Sequence, residues 1–278
     1  MREGNFHWEP VQLKPGSRVA VAMSGGVDST IAARRLINQG HKVMAFHLLL
    51  TPDAPGAEQA QNAARLIGLN LEVIDLSSQF EDMIVNPFIQ SYVSGETPNP
   101  CVSCNPQIKF SLFWEQVKDR GAEYLATGHY ARLIVCKKSE TPILSRPRDL
   151  QKDQTYFLCR LTPEMLSHAI FPLADTTKAN VKKEALALGL TAREESQDVC
   201  FLLGENYREF LLKRLSPDQI VPGDFVDFEG RTLGRHRGLI YYTIGQRRAL
   251  GLSSHKPYYV LSLDRAHNRV VLGTKQQT

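Results

Sequence analysis

Two groups of residues in this sequence have the types and spacing to do chemistry. The first is Ser24-Gly25-Gly26-Val27-Asp28-Ser29, directly after the apolar run 17–23. A glycine pair lets backbone amides approach a phosphate closely, because no Cβ intervenes. A helix opening at that point adds free N–H groups and the positive end of its dipole. Ser24 and Ser29 supply hydroxyls, and Asp28 is a carboxylate able to hold Mg²⁺ beside phosphates. No Walker lysine follows, so this is not the usual kinase or GTPase loop. The second group is cysteine: Cys101 and Cys104 as C-x-x-C, and Cys200 far downstream. That pattern asks for redox, metal or sulfur chemistry, and the thiolate is the reactive form. The remaining cysteines, Cys136 in a polar stretch and Cys159 in an apolar stretch expected to be helical, read as structural.

These groups need a frame. The run 17–23 reads as a buried parallel strand, with a helix from Asp28 or Ser29 to about Gln39 and Gly40 past its end. Further strands are expected at 42–50, 71–76 and 124–127, alternating with helices at 57–67, within 78–93 and at 105–120. Alternation of this kind implies an α/β fold, a parallel sheet with helices on both faces. Ligands bind at the C-terminal edge of such sheets. Ser24–Ser29, His47 and Gly128-His129 all fall at that edge. Residues 153–214 read as helical with proline breaks. Residues 221–278 are rich in Val, Tyr, Phe and Gly in short alternating runs, a small β-rich domain with a hairpin turn at 266–268. The expected division is 1–215 and 216–278.

Bulk composition narrows the class without choosing a function. The 278 residues carry a net charge of +4 and are 42% hydrophobic, ordinary for a globular protein. Mild basicity fits RNA but does not demand it. No stretch is long and apolar enough to span a membrane, and the first residues lack the apolar core of a leader. A cytoplasmic protein is expected, in which structural disulfides are rare.

Five further motifs stand in order: TPNPCVSCNPQIKF (97–110), ATGHYAR (126–132), KDQTYFL (152–158), ESQDVCF (195–201) and YTIGQRRALGL (242–252). With SGGVDS they resemble the tRNA-specific 2-thiouridylases, a family of the PP-loop ATP pyrophosphatase superfamily (adenine nucleotide alpha hydrolase-like). The resemblance covers residues 19 to about 272 and implies adenylation of a uridine C2 oxygen by ATP, loss of pyrophosphate, and replacement of that oxygen by sulfur. It implies an ATP site at Ala22, Met23, Ser24, Gly25, Gly26, Val27, Asp28, Ser29, His47 and Gly128. It makes Cys104 the nucleophile and Cys200 the persulfide carrier. It puts RNA contacts at Asn99, Pro100, His129, Lys152, Asp153 and Gln154. Arg247 and Arg248, with Arg235, His236 and Arg237 nearby, form a further phosphate-contacting patch. The partners implied are RNA, in the family tRNA, and a sulfur-donor protein or inorganic sulfide.

Two departures from the family pattern matter. Where the family reads N-P-D-x-x-C, this chain has Cys101 in place of the Asp. Cys101, Cys104 and Cys200 could then hold three irons of a 4Fe–4S cluster with the fourth iron open. A zinc half-site or a Cys101–Cys104 redox disulfide are the other readings. The chain also stops near where the family's third, β-barrel domain begins, which leaves another RNA target, a small-molecule acceptor or a non-catalytic RNA-binding paralogue as alternatives. Cys104 is expected just ahead of a helix, whose N-terminal dipole would help ionise it.

Overall fold

The computed structural model describes residues 8–52, 56–136, 141–190, 199–252 and 257–277. The chain forms two compact units. The first comprises residues 1–83 and 101–197, the second 84–100 and 198–278.

In chain order the strands of the first unit are β1 (Trp8–Pro10), β2 (Arg18–Ala22), β3 (Lys42–Leu49), β4 (Leu71–Asp75), β5 (Tyr124–Ala126), β6 (Arg132–Cys136), β7 (Pro142–Ser145) and β8 (Ala169–Ile170). Five of them make a sheet in the order β4-β3-β2-β5-β8, and every pairing is parallel. β1, β6 and β7 form a separate antiparallel sheet. Helix α1 (Val27–Asn38) connects β2 to β3, and α2 (Gly56–Leu66) connects β3 to β4. The chain then returns to the other side of β2 to lay down β5. The topological switch point therefore lies between β2 and β5, where open α/β sheets place their ligands.

The alternation of apolar run and turn explains this sheet. Val19, Ala20 and Val21 have no exposure, as a central parallel strand covered on both faces requires. One face packs Val19, Val21 and Met23 against Ala33 and Leu36 of α1 and Ala60, Ala63 and Ala64 of α2. A second cluster joins Ile31 and Ala32 of α1 to Val181 and Ala185 on the helix Lys178–Ala187. Full burial of Ile31 or Leu36 contributes roughly 1.5–3 kcal/mol each. Alanine-rich faces let these helices lie close.

Three expectations are corrected. The stretch after residue 153 is not simply helical: Ala169–Ile170 joins the parallel sheet as its fifth strand. The helix expected at 105–120 opens earlier, at Pro100. It runs as α-helix to Cys104, as π-helix over Asn105–Phe113, and as α-helix again over Trp114–Asp119. Cys159 is exposed at the end of a 3₁₀ turn rather than buried in a helix, whereas Cys136 on β6 is buried.

The second unit holds β9 (Gly223–Asp227), β10 (Thr232–His236), β11 (Tyr259–Asp264) and β12 (Arg269–Gly273) in the order β10-β9-β12-β11. β9 and β12 are parallel, and the outer pairs are antiparallel. Phe225, Tyr242, Val260, Val270 and Leu272 fill its core. The hairpin turn between β11 and β12 contains Asn268 at φ +50°, a conformation asparagine tolerates better than most residues. Beside this sheet, the helices Asn86–Val93 and Tyr207–Arg214 meet through Phe88 and Phe210, whose ring centroids are 6.2 Å apart, and through stacked Tyr92 and Tyr207 at 4.6 Å.

Candidate active site

The loop after β2 is held open for an anion. Met23 N–H donates to Phe46 O at 2.7 Å, which carries the β2–β3 pairing to the edge of the loop. Gly25 adopts φ +81°, and a Cβ there would fall 2.7 Å from Ala60 N. Only glycine meets both demands. Gly26 is the N-cap of α1, and no side chain caps that helix. Its first N–H groups are therefore left for an anion. The Gly26 carbonyl instead accepts the Ser29 hydroxyl at 3.1 Å and the Thr30 hydroxyl at 2.9 Å. The Ser24 and Ser29 hydroxyls stand 3.3 Å apart, closing the loop's rim. From β5, Gly128 presses on the start of α1: a Cβ there would lie 2.8 Å from Ser29 N and 2.9 Å from Asp28 C.

His47, at the end of β3, is buried and bonded through Nδ1 to Met23 O at 2.8 Å. A carbonyl only accepts, so Nδ1 is the donor in this bond. Gly56 lies against this ring, where a Cβ would be 3.1 Å from Cε1.

Asp28 does not face an empty loop. Lys178 Nζ donates to both its oxygens, at 2.8 and 2.7 Å, and the Tyr130 hydroxyl donates to Oδ1 at 2.9 Å. The Lys178 side chain is 10% exposed. Neither partner is foreseen from the sequence. Tyr130 sits inside the ATGHYAR motif, but Lys178 lies 150 residues from the carboxylate it holds. The only local signal there is Thr177, which caps the helix Lys178–Ala187 by accepting Asn180 N–H at 3.3 Å.

Three segments meet near the same edge. Asn105, next to Cys104, is buried and donates its side-chain amide to Phe157 O at 2.8 Å. Gln154 N–H donates to Tyr130 O at 3.0 Å, and Gln154 Oε1 accepts Tyr130 N–H at 2.9 Å. The rings of Phe110 and His129 both pack on Phe171, at 6.1 and 6.3 Å. The helix carrying Cys104, the loop Lys152–Gln154 and the segment Gly128–Tyr130 are thereby tied together. Burial, and then the charge of Lys109, hold the His129 imidazole well below its ordinary pKa. His129 is thus neutral, with Nδ1 2.8 Å from the Thr127 hydroxyl. Asp153 closes its own turn, accepting Thr155 N–H at 3.0 Å, the Thr155 hydroxyl at 2.6 Å and Arg146 Nε at 2.7 Å. Burial raises its pKa and these bonds more than offset that, so it stays ionised. Lys152 is half-buried.

The helix start at Pro100 changes the setting of the cysteines. Cys101, half-buried, occupies the first turn, and buried Cys104 lies three residues on, along the same face. Cys104 thus ends the α-helical segment of this helix rather than preceding a helix, beyond the first turn over which a helix dipole acts. Asn99 is exposed and Pro100 buried. Cys200 belongs to the second unit, exposed at the start of the 3₁₀ turn Cys200–Leu202. The residues just before it, 191–198, lie outside the described residues and with them most of the ESQDVCF motif. Among the described residues no three His, Cys, Asp or Glu side chains gather as a metal-holding group.

In the second unit, Arg247 and Arg248 are exposed. Gln246 shapes their loop, accepting Thr243 N–H at 3.1 Å and donating to Arg248 O at 2.9 Å. His236 does not join the basic patch. It is 2% exposed, its Nδ1 accepts Gly238 N–H at 3.0 Å, and its Nε2 donates to Asn268 O at 3.0 Å. The Arg237 guanidinium lies over the Tyr241 ring at 4.0 Å.

Fold and site together define a parallel-sheet protein with a glycine loop and an uncapped helix start at its switch point. Residues 17–204 match the family described as tRNA methyl transferase HUP domain, and residues 208–274 the tRNA methyl transferase PRC-barrel domain. Relatives include the tRNA-specific 2-thiouridylase MnmA of Desulforudis audaxviator, 42% identical over 260 residues, which are 93% of this chain and 75% of that one. The tRNA-specific 2-thiouridylase MnmA 2 of Thermoanaerobacter sp. strain X514 is 42% identical over 280 residues, 95% of this chain and 77% of that one. The MnmA of Moorella thermoacetica is 41% identical over 271 residues, 92% and 76% of the two chains. The chain belongs to the tRNA-specific 2-thiouridylase family. Among the described residues no helix is long and apolar enough to cross a membrane.

Proposed function

We propose that this protein is a cytoplasmic tRNA uridine 2-sulfurtransferase that uses ATP. The observation that carries this reading is the uncapped start of α1 behind Ser24-Gly25-Gly26, with Gly128 pressed against it and the Cys104 helix tied to the same edge through Asn105. Ala22 to Ser29 cradle the pyrophosphate end of ATP, and His47 and Gly128 complete the nucleotide site. Asp28 would hold Mg²⁺, which supplies neutralising charge to the phosphates when bound. The C2 oxygen of uracil attacks the α-phosphorus and pyrophosphate leaves. The oxygen is then part of a good leaving group, AMP.

Sulfur enters at C2. In this reading a persulfide-bearing donor protein passes its sulfane sulfur to the Cys200 thiolate and is left as a thiol, and the terminal sulfur of the Cys200 persulfide attacks C2 and expels AMP with the oxygen. A Cys104 thiolate then cleaves the S–S bond, leaving the outer sulfur on the base and the two cysteines oxidised to a disulfide. A reductant returns them to thiols. Asn99, Pro100, His129, Lys152, Asp153, Gln154, Arg247 and Arg248 are the proposed RNA contacts. Neutral His129 can hydrogen-bond a base without adding charge.

Cys101, Cys104 and Cys200 are also the donor set for a 4Fe–4S cluster with one open iron. Cys101 and Cys104 belong to the first unit and Cys200 to the second. Anaerobic reconstitution yielding about four irons and four sulfides per chain, lost in Cys101→Ala, would replace the persulfide route with sulfide delivery.

The function is tested by incubating the protein with unmodified tRNA, Mg-ATP and a persulfide sulfur donor, then measuring AMP and digesting the RNA for mass spectrometry of nucleosides. RNA-dependent AMP and 2-thiouridine are expected, with thiouridine abolished in Cys200→Ala. AMP formation on a small acceptor alone, or RNA binding without AMP, would reject the proposal.

A further inference from the structure

We infer that Tyr130 is a positioning residue through which RNA seated on the loop Lys152–Gln154 tightens the nucleotide site. The inference rests on the proposed function, with that loop as an RNA contact and Ser24–Ser29 as the phosphate loop. Tyr130 is held from both sides. Its backbone is paired twice with Gln154: Gln154 N–H donates to Tyr130 O at 3.0 Å, and Gln154 Oε1 accepts Tyr130 N–H at 2.9 Å. Its hydroxyl donates to Asp28 Oδ1 at 2.9 Å, across 102 residues of sequence. One residue thus spans from the RNA loop to the phosphate loop.

The link between its two ends is stiff. Tyr130 is 2% exposed, in an apolar cluster with Ile31 and Ala32 of α1 and Leu173. A close-packed ring has little freedom to swing, so the hydroxyl follows the backbone that carries it. A ring needed only to fill this cluster would require no hydroxyl. A second tie runs from the same loop. Asp149 caps the turn Leu150–Lys152, accepting Gln151 N–H at 3.2 Å, and its other oxygen accepts Lys178 N–H at 2.8 Å, at the start of the helix Lys178–Ala187. That helix reaches the Tyr130 cluster through Val181 and Ala185. Between the two ties, Gln151 is exposed and Lys152 half-buried. RNA that orders this stretch holds the Tyr130 backbone and keeps the hydroxyl on Asp28. The carboxylate is then set before nucleotide arrives, and less ordering remains for the nucleotide to impose. Linkage makes the effect mutual: nucleotide strengthens RNA binding by the same factor.

The rival is a hydroxyl that only orients Asp28, whether or not RNA is bound. The two are separated with the α,β-methylene analogue of ATP, which cannot release pyrophosphate. Its affinity is measured by calorimetry in Mg²⁺, with and without saturating unmodified tRNA, for the wild type and for Tyr130→Phe. The variant keeps the ring and removes the oxygen, and thermal unfolding confirms its fold. For the wild type, tRNA should tighten analogue binding at least about fivefold, the lower end of ordinary coupling between sites. For Tyr130→Phe the factor should fall to about twofold or less. Filter binding of tRNA with and without the analogue should give the same two factors. Tyr130→Phe that binds the analogue more weakly but keeps the full tRNA factor would overturn the inference and leave the orienting role alone. A wild type that binds both partners with no mutual effect would overturn it as well. A wild type that binds the analogue but no tRNA would instead reject the proposed function, and the inference with it.

Discussion

The side chain of Asn105 donates to the carbonyl of Phe157 at 2.8 Å from a position 1% exposed. One bond thus joins the residue after Cys104 to the turn that follows Lys152–Gln154. Asn105→Ala strands that carbonyl and should lower stability by about 1–3 kcal/mol. Because it loosens the cysteine helix and leaves the phosphate loop untouched, thiouridine yield should fall more than AMP release. Denaturant unfolding and the two product assays check this together. Equal loss of both products would mean the bond holds the fold rather than the site.

Gly128 has no room for a methyl group. The added Cβ would meet backbone atoms of Asp28 and Ser29, which cannot turn aside as a side-chain tip would. Gly128→Ala should weaken ATP binding by roughly tenfold, given overpacking costs of about 1–3 kcal/mol. Gly26→Ala makes the comparison, since its Cβ comes no nearer than 3.4 Å to the Ser24 hydroxyl. Titration calorimetry with ATP on both proteins decides it.

The arginines at 247 and 248 depend on Gln246 for their placement. Removing a side chain that neutralises one phosphate should lower the slope of log affinity against log salt by about 0.7–0.9. Arg247→Ala and Arg248→Ala are expected to do this singly. Gln246→Ala should weaken RNA binding with both arginines still present, because the loop loses two of its clamps. Filter binding of tRNA across a salt series is the measurement, and an unchanged slope in the arginine variants would take the loop out of the RNA interface.

Three histidines make stability fall with acid. His129, His168 and His236 all have pKa values lowered chiefly by burial. Below the unfolded value of 6.5 the unfolded chain takes up protons that the native histidines refuse. Their contribution is complete above pH 6.5 and is lost as pH falls from there toward the lowered native values. His236→Gln should flatten part of that decline, since His236 Nδ1 already accepts Gly238 N–H and has no place for a second proton. Thermal unfolding at pH 5 to 8 tests the slope.

The phosphate edge is readable in the sequence because its signals are local. A valine- and alanine-rich strand, two glycines and a helix start are adjacent in the chain, and Val19 to Ser29 fold as that order implies. Lys178 is hidden because its meaning depends on Asp28, which no short-range pattern joins to it. The strand Ala169–Ile170 is hidden by its brevity: two residues carry no period. The early helix start at Pro100 follows from proline's fixed φ, which suits the first turn of a helix, and the longer polar-apolar pattern after Asn105 masks it. The buried state of His236 comes from its bonds to Gly238 and Asn268, invisible beside two flanking arginines.

The second unit is built from two lengths of chain separated by the whole of 101–197. Phe88 belongs to the earlier length, and its ring partners Phe201 and Phe210, 5.1 and 6.2 Å away, belong to the later one. During synthesis the helix Asn86–Val93 therefore emerges well before the aromatic rings that cover it. Loop closure across that distance must come first, which slows the step and leaves Phe88, Ile89 and Tyr92 uncovered in the meantime. The first unit's sheet is complete once β8 is made, so the order of folding runs from nucleotide half to β-rich half. A fragment beginning at residue 216 would leave behind Phe88, Phe201 and Phe210, and with them the aromatic packing of its own unit.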